Sequence, residues 1–512
     1  MRRYYLLLLL ALPVLVSQAR AEPVAPAQPG WDPTLAAEVY IAALTFITPR
    51  SLEPVALAQL TLWGLRGLTA LDPALSVEAR DGQLVLSTAG RVLASVPAPL
   101  AESDRPASWT EAAIALTTIA WNASAPVRKA GTAGILRGYF DELFNHLDPY
   151  SRYVPPSEAA EDRARRSGLA GAGITLVRQG DAVVVKSIIA DGPAGLGGMR
   201  AGDRILAVDD RPVRRENAAT VASWIAGPED TLMEITYRGR DGRQHAIELL
   251  RAMVPPETIF SERVGDILIL RIAGFNRRTD ARLARELQRS VAGPRPPAGL
   301  IIDLRGNRGG LLREAVAVAD ELLPAGIVAT TAGRNREANR IWRSGDSQLA
   351  TGLPVVVVVD GRSASAAEIL AASLADRGRA VVLGSVTLGK GLVQAIAPLP
   401  DGGELFITWS RVLAPLGWPI HGLGVLPQIC TSLGQEALNR QLATLAEGTQ
   451  PMAPAIARHR SARAPIPPAQ MLAIRNACPA AEGRDTDLQA ARALLAHPTA
   501  YAAALLPVSG GL

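Results

Sequence analysis

The stretch Val355-Val356-Val357-Val358-Val359-Asp360-Gly361-Arg362-Ser363-Ala364-Ser365-Ala366-Ala367-Glu368-Ile369 decides how this sequence is read. Five successive valines, without polar alternation, suit a strand covered on both faces. Asp360-Gly361-Arg362 ends it, and the serines with the Ala-rich run open a helix. A buried strand feeding a helix is the repeating unit of an α/β fold. A serine at such a turn stands exposed at the sheet edge, where the N–H groups of the first helical turn can hold an oxyanion. The plain alternative is an N-cap serine. With Ser363 and Ser365 both present, the two roles can coexist.

The pattern extends outward from there. Strands are expected at 266–272, 299–304 and 380–383, and helices at 280–291, 311–323 and 366–375, so 257–430 reads as an α/β core. Upstream, 168–251 is strand-rich, with strands at 174–177, 182–188, 204–208, 232–237 and 244–250 and a short helix at 217–225. Residues 22–165 read as mostly helical (36–48, 55–71, 109–121 and 131–147), the last helix stopping at Asp148-Pro149. Between these helices 75–96 resembles a hairpin with Asp81-Gly82 as its turn. Residues 431–512 read as an Ala-rich helical tail broken by a Pro-rich linker at 464–468.

The 512 residues are 48% hydrophobic and 20% charged, which excludes wholesale disorder. A net charge of +5, from 53 basic and 48 acidic residues, is too thin to predict a nucleic-acid partner. Lysine occurs only at 129, 186 and 390, and the other 50 basic residues are arginine. Arg2-Arg3, an apolar run at 6–16 and Ala19-Arg20-Ala21 have the plan of a secretory signal peptide at 1–21. Export is therefore expected, with membrane contact at most through an uncleaved signal segment. Cys430 and Cys478 can pair or remain buried thiols. The five histidines are scattered, and neither HExxH nor CxxC occurs, so no metal and no cofactor is expected.

A serine nucleophile needs a base. No histidine lies in a comparable setting, and GxSxG is absent. Lys390 does lie in one, within Gly389-Lys390-Gly391 after the strand at 380–383. A desolvated lysine can lose its proton near neutral pH, which arginine cannot. Ser365 and Lys390 would then form a Ser-Lys dyad, with Gln394 placed to orient the amine. An exposed loop lysine is the competing reading. A phosphate-binding loop over 384–390 is disfavoured, because position 391 is Gly where Ser or Thr is needed. In Leu300-Ile301-Ile302-Asp303-Leu304-Arg305-Gly306-Asn307-Arg308-Gly309-Gly310 a strand runs into paired glycines, which either permit a turn or let a substrate backbone approach closely.

Together, 303–310, 363–369 and 387–394 resemble the motifs DLRxNxGG, SASASEI and TxGKGxVQ of the C-terminal processing peptidases, or tail-specific proteases. Pro415-Leu416-Gly417, Ile420-His421-Gly422 and Gly424-Val425-Leu426-Pro427 resemble the family's closing segment. Residues 147–153 resemble a signature before its PDZ domain, and 168–251 are similar to that domain.

The resemblance implies a multi-domain α/β protein: helical N-terminal region, PDZ domain, crotonase/Clp-like protease core and helical tail. It implies Ser365 as nucleophile, Lys390 as general base and Gln394 as third polar member. The oxyanion hole would come from the Ala366 amide with that of Gly309 or Gly310. Gly171, Ala172, Gly173 and Ile174 would form the PDZ loop that receives a substrate's terminal carboxylate. The expected protein is a periplasmic serine endopeptidase of a bacterium. Its partners would be protein substrates with accessible apolar C-termini, with an adaptor protein or a homo-oligomer as further partners left open. Departures from the family pattern are Ala367, Gln428 and Trp409, the last two expected at the active-site rim. The rival from another class is a catalytically silent PDZ adaptor.

Overall fold

The structure, a computed structural model, describes residues 30–507. The expected signal segment at 1–21 lies outside the described residues. Parallel strands Ile267–Ile272, Gly299–Asp303, Val355–Val359, Val381–Gly384 and Ile429–Cys430 form a central sheet, with Ile259–Val264 antiparallel at one edge. Every residue of Gly299–Asp303 and Val355–Val359 is buried. Strand periodicity divides them between two cores. Leu300, Ile302, Val355, Val357 and Val359 join helices Thr279–Val291, Leu312–Asp320 and Ala366–Asp376. Ile301, Val356 and Val358 face the other way, onto Leu438, Leu445, Ala491 and Leu494 of helices Gln435–Ala446 and Asp485–Leu495. Each fully buried Val or Ile contributes about 1.5–3 kcal/mol. The tail helices are thus the second cover that the run of valines requires.

A second, antiparallel sheet is not foreseen in the sequence. It contains Arg340–Ser344, Gly326–Ala332, Glu404–Leu413 and Leu392–Pro398 in that order, with Arg152–Val154 added on Glu404–Leu413. The N-terminal helices pack on it, and Leu399, Leu405 and Ile407 enter the same core as Tyr40, Leu60, Leu116 and Phe140. The hairpin expected at 75–96 is three-stranded (Leu75–Arg80, Gln83–Thr88 and Arg91–Pro97), because Ala89-Gly90, both at positive φ, make a second turn. The helix expected at 131–147 runs Ala125–Asn145, with a non-helical Gly131 inside it.

The strand-rich unit contains Ile174–Gln179, Ala182–Ile188, Arg204–Val208, Leu232–Arg238 and Gln244–Leu250 in one antiparallel sheet. Asn217 caps its helix Ala218–Ile225, accepting from the Thr220 N–H at 2.8 Å. Cys430 and Cys478 form a disulfide, tying the last strand of the central sheet to the segment after helix Pro468–Arg475. Among the described residues, no helix is long and apolar enough to cross a membrane, and no group of His, Cys, Asp and Glu could hold a metal ion.

Candidate active site

The two serines of the decisive stretch separate cleanly. Ser363 is fully buried; its Oγ donates to the Leu304 carbonyl at 2.8 Å and accepts from the Asp360 N–H at 3.0 Å. It fastens the turn. Ser365 precedes helix Ala366–Asp376 with φ 56° and ψ −116°, and its side chain does not cap the helix. Such a backbone costs a non-glycine residue about 1–3 kcal/mol and persists only where its surroundings impose it.

Glu368 imposes it. Its Oε2 accepts from the N–H groups of Ser365 (2.7 Å) and Lys390 (2.9 Å), and its Oε1 from Thr387 Oγ1 (2.5 Å) and the Gly389 N–H (2.7 Å). One fully buried carboxylate therefore binds the Ser365 turn to the Lys390 loop. Burial raises its pKa above the usual carboxylate value, and the four donors oppose that shift. The sequence reading assigned Glu368 no role. The available signal was a carboxylate inside an otherwise apolar helix start.

Lys390 shares one cleft with Ser365, Gln394 and Gly310. Its Nζ lies 4.9 Å from the centroid of the Tyr150 ring. Burial lowers its pKa, the Arg152 guanidinium lowers it further, and Asp148 with Glu368 pulls the other way. The close packing explains the neighbouring glycine: a Cβ on Gly391 would come 2.2 Å from the His421 nitrogen. Ser365 Oγ and Lys390 Nζ are not hydrogen-bonded to each other in this arrangement.

Gln394 lines the cleft but does not touch the amine. Its Nε2 donates to Thr408 Oγ1 at 3.3 Å, and that hydroxyl donates to Asp148 Oδ1 at 2.7 Å. Asp148 Oδ2 accepts from Ser151 Oγ, and Ser151 Oγ accepts from the Thr408 N–H. The segment after Asp148-Pro149 thus anchors the strand carrying Thr408, a link of 260 residues invisible to local pattern.

A Cβ on Gly309 would fall 2.9 Å from Ser365 Cβ and 3.0 Å from the Ala366 nitrogen, so only glycine allows this approach. Of the two glycine amides expected to pair with that of Ala366, the Gly309 N–H is already taken by Asn307 Oδ1 at 2.8 Å. Of the departures, Trp409 lines the cleft, whereas Gln428 does not. Gln428 is buried and exchanges two hydrogen bonds with Val382, its backbone N–H donating at 2.8 Å and its Oε1 accepting at 2.7 Å.

Gly171, Ala172, Gly173 and Ile174 do not line this cleft; they run from the end of strand Leu169–Gly171 to the start of strand Ile174–Gln179. Gly173 has φ +73° and its carbonyl accepts from Ile189, while the Ala172 carbonyl accepts from Ala194.

Residues 266–431 match the family model described as peptidase family S41, and 184–239 match the PDZ domain. The "Carboxy-terminal-processing protease" of Bartonella bacilliformis is 32% identical over 289 residues, covering 55% of this chain and 66% of that protein. The "Carboxyl-terminal-processing peptidase 1, chloroplastic" of Arabidopsis thaliana is 31% identical over 294 residues, covering 55% of this chain and 59% of that protein. The match therefore spans less than two thirds of the length of either relative. A solved structure titled photosystem II D1 C-terminal processing protease is similar at 26% identity, covering 75% of this chain and 97% of that one, with a TM-score of 0.35. Residues 266–431 thus match peptidase family S41 and residues 184–239 a PDZ domain, and the chain is similar to proteins named as carboxy-terminal-processing proteases.

Proposed function

We propose that this protein is an exported serine endopeptidase that cleaves proteins near or from their C-termini, with Ser365 as nucleophile and Lys390 as general base. The observation that carries this reading is the Glu368 clamp. It holds a strained Ser365 and a lysine of lowered pKa in the lining of one cleft. Loss of the Lys390 proton and a swing of Nζ from the Tyr150 ring to Ser365 Oγ would complete the dyad; catalytic hydrogen bonds often tighten only with substrate bound. Oγ then attacks the scissile carbonyl carbon as its proton passes to Nζ. The oxyanion forms between the Ala366 and Gly310 amides. Collapse expels the amine, which takes the proton from the Lys390 ammonium, and water hydrolyses the acyl-enzyme by the same route.

We assign the PDZ loop at 171–174 to capture of a substrate's terminal carboxylate, with its apolar last residues in the groove beside helix Ala218–Ile225. Export to the periplasm rests on the sequence at 1–21. The names of the relatives, carboxy-terminal-processing protease and peptidase, support the substrate class. The adaptor reading is weaker, because Ser365, Lys390 and Gln394 are all present and line one cleft. Casein and an apolar-tailed reporter, incubated with wild type and with Ser365→Ala, decide between them. Cleavage by wild type alone supports the enzyme, whereas peptide binding with equal inertness in both supports the adaptor.

A further inference from the structure

The cleft holding Ser365 and Lys390 encloses about 800 Å³ and is markedly cationic. Seven arginines and Lys390 line it, against three carboxylates, Asp162, Glu314 and Glu337. Even with Lys390 neutral, an excess of four charges remains, close to the net charge of +5 carried by the entire 512-residue chain. General arginine richness does not account for it, since the rest of the chain balances its arginines with acids.

The carboxylates present are largely committed. Asp162 pairs with Arg165, and Glu404, deeper in, takes Arg163 and Arg166. Glu314 accepts from the Thr279 N–H. Arg277, Arg308, Arg313 and Arg340 are exposed, and among the described residues none has an acidic side chain within 4.0 Å. Two of them are placed tellingly. Arg308 and Arg313 bracket Gly309-Gly310-Leu311-Leu312, the segment that presents the Gly310 amide. The lining of the same cleft also includes the apolar Ile369, Leu392 and Val412.

An unmatched guanidinium on a concave wall is a fork suited to a carboxylate, even where it is exposed. A cleft lined by one sign of charge also concentrates ligands of the other sign and repels its own. We propose that this cleft selects polypeptide segments bearing Asp or Glu close to an apolar scissile site, with Arg308 and Arg313 as the principal specificity-determining residues and Arg277 and Arg340 supporting them. This deepens the peptidase reading above and rests on it.

The test uses the full chain and three quenched fluorescent peptides sharing one Ala-rich core, flanked by Glu, by Gln or by Lys. In 50 mM salt, kcat/KM should fall in the order Glu, Gln, Lys, with about fivefold between the first two for a pair of exposed ion pairs. The spread should shrink at 500 mM salt. Arg308→Glu combined with Arg313→Glu should invert the order of the Glu and Lys peptides. That ratio is taken within one variant and does not depend on how much of it is folded. Equal rates on all three peptides, or an order unchanged by the charge reversal, overturns the specificity proposal and leaves the peptidase reading standing. Failure of wild type to cleave any peptide or casein overturns both.

Discussion

Glu368 and Asp191 are both buried carboxylates, 0% and 6% exposed, and they hold their neighbours by different physics. Glu368 accepts four aligned hydrogen bonds at 2.5–2.9 Å, three of them from backbone N–H groups, and joins two loops of one domain. Asp191, in the strand-rich unit, faces Arg278, Arg282 and Arg285 on and beside helix Thr279–Val291 at 3.0–3.7 Å. Its Oδ2 has no aligned donor, and the one aligned bond, from Arg278 to the Asp191 carbonyl, is long at 3.4 Å, so charge dominates that contact. Directed bonds fix positions to fractions of an ångström, as reacting atoms require. Charge attraction tolerates displacement and fits a joint between the PDZ domain and the protease core. The difference teaches where this molecule is rigid and where it can shift.

The sharpest break in that comparison is Glu368→Gln. An amide presents donors to donors, so at least one N–H of Ser365, Gly389 or Lys390 loses its acceptor. Cleavage should fall by about 100-fold, the scale of a 1 Å misplacement. Stability should drop by about 1–3 kcal/mol, read by peptide kinetics and thermal unfolding. A variant within twofold of wild type would show that the clamp does not set the geometry.

Arg152→Gln should have a smaller and more diagnostic effect. Arg152 lowers the Lys390 pKa, so removing its charge favours the ammonium and raises that pKa. The neutral base then appears at higher pH, and the acid limb of the kcat/KM profile should move upward with little change in its plateau. A downward move would contradict the assignment of Lys390 as base.

Asp191→Asn should matter least to chemistry. Rates on a short peptide should stay within about twofold, because the residue touches no group in the cleft. Hydrogen exchange should rise in the linker at 252–258 and along the PDZ face of helix Thr279–Val291. Unchanged exchange would place the restraint elsewhere, for instance in the Arg282 bonds to the carbonyls of Pro255 and Pro256.

The same contrast explains how much the sequence disclosed. Val355–Val359 and the glycines around Ser365 and Lys390 announce strand, turn and close approach through local pattern alone, and the PDZ strands do so through alternation and turns. The antiparallel sheet carrying Gln394 and Thr408 escaped notice. Its strand Leu392–Pro398 is only partly buried and mixes Ala, Pro and Gln with its larger apolar residues. Glu368, Thr387 and Asp148 were quoted as motif letters, but each also works through a partner 19 to 260 residues away. Gln428, expected at the cleft rim, proved to be a strand partner for Val382. Only the folded chain brings such pairs together. Lys390 was legible for a chemical reason: among three lysines it alone sits between glycines after a core strand.

The dyad itself is tested most directly by labelling the intact protein with a fluorophosphonate, which bonds covalently only to an activated serine hydroxyl. Wild type should be labelled at Ser365, at a rate rising with pH as Lys390 loses its proton, and Lys390→Arg should remain unlabelled because its base stays protonated. Equal labelling of Lys390→Arg, or labelling at any residue other than Ser365, would contradict the account.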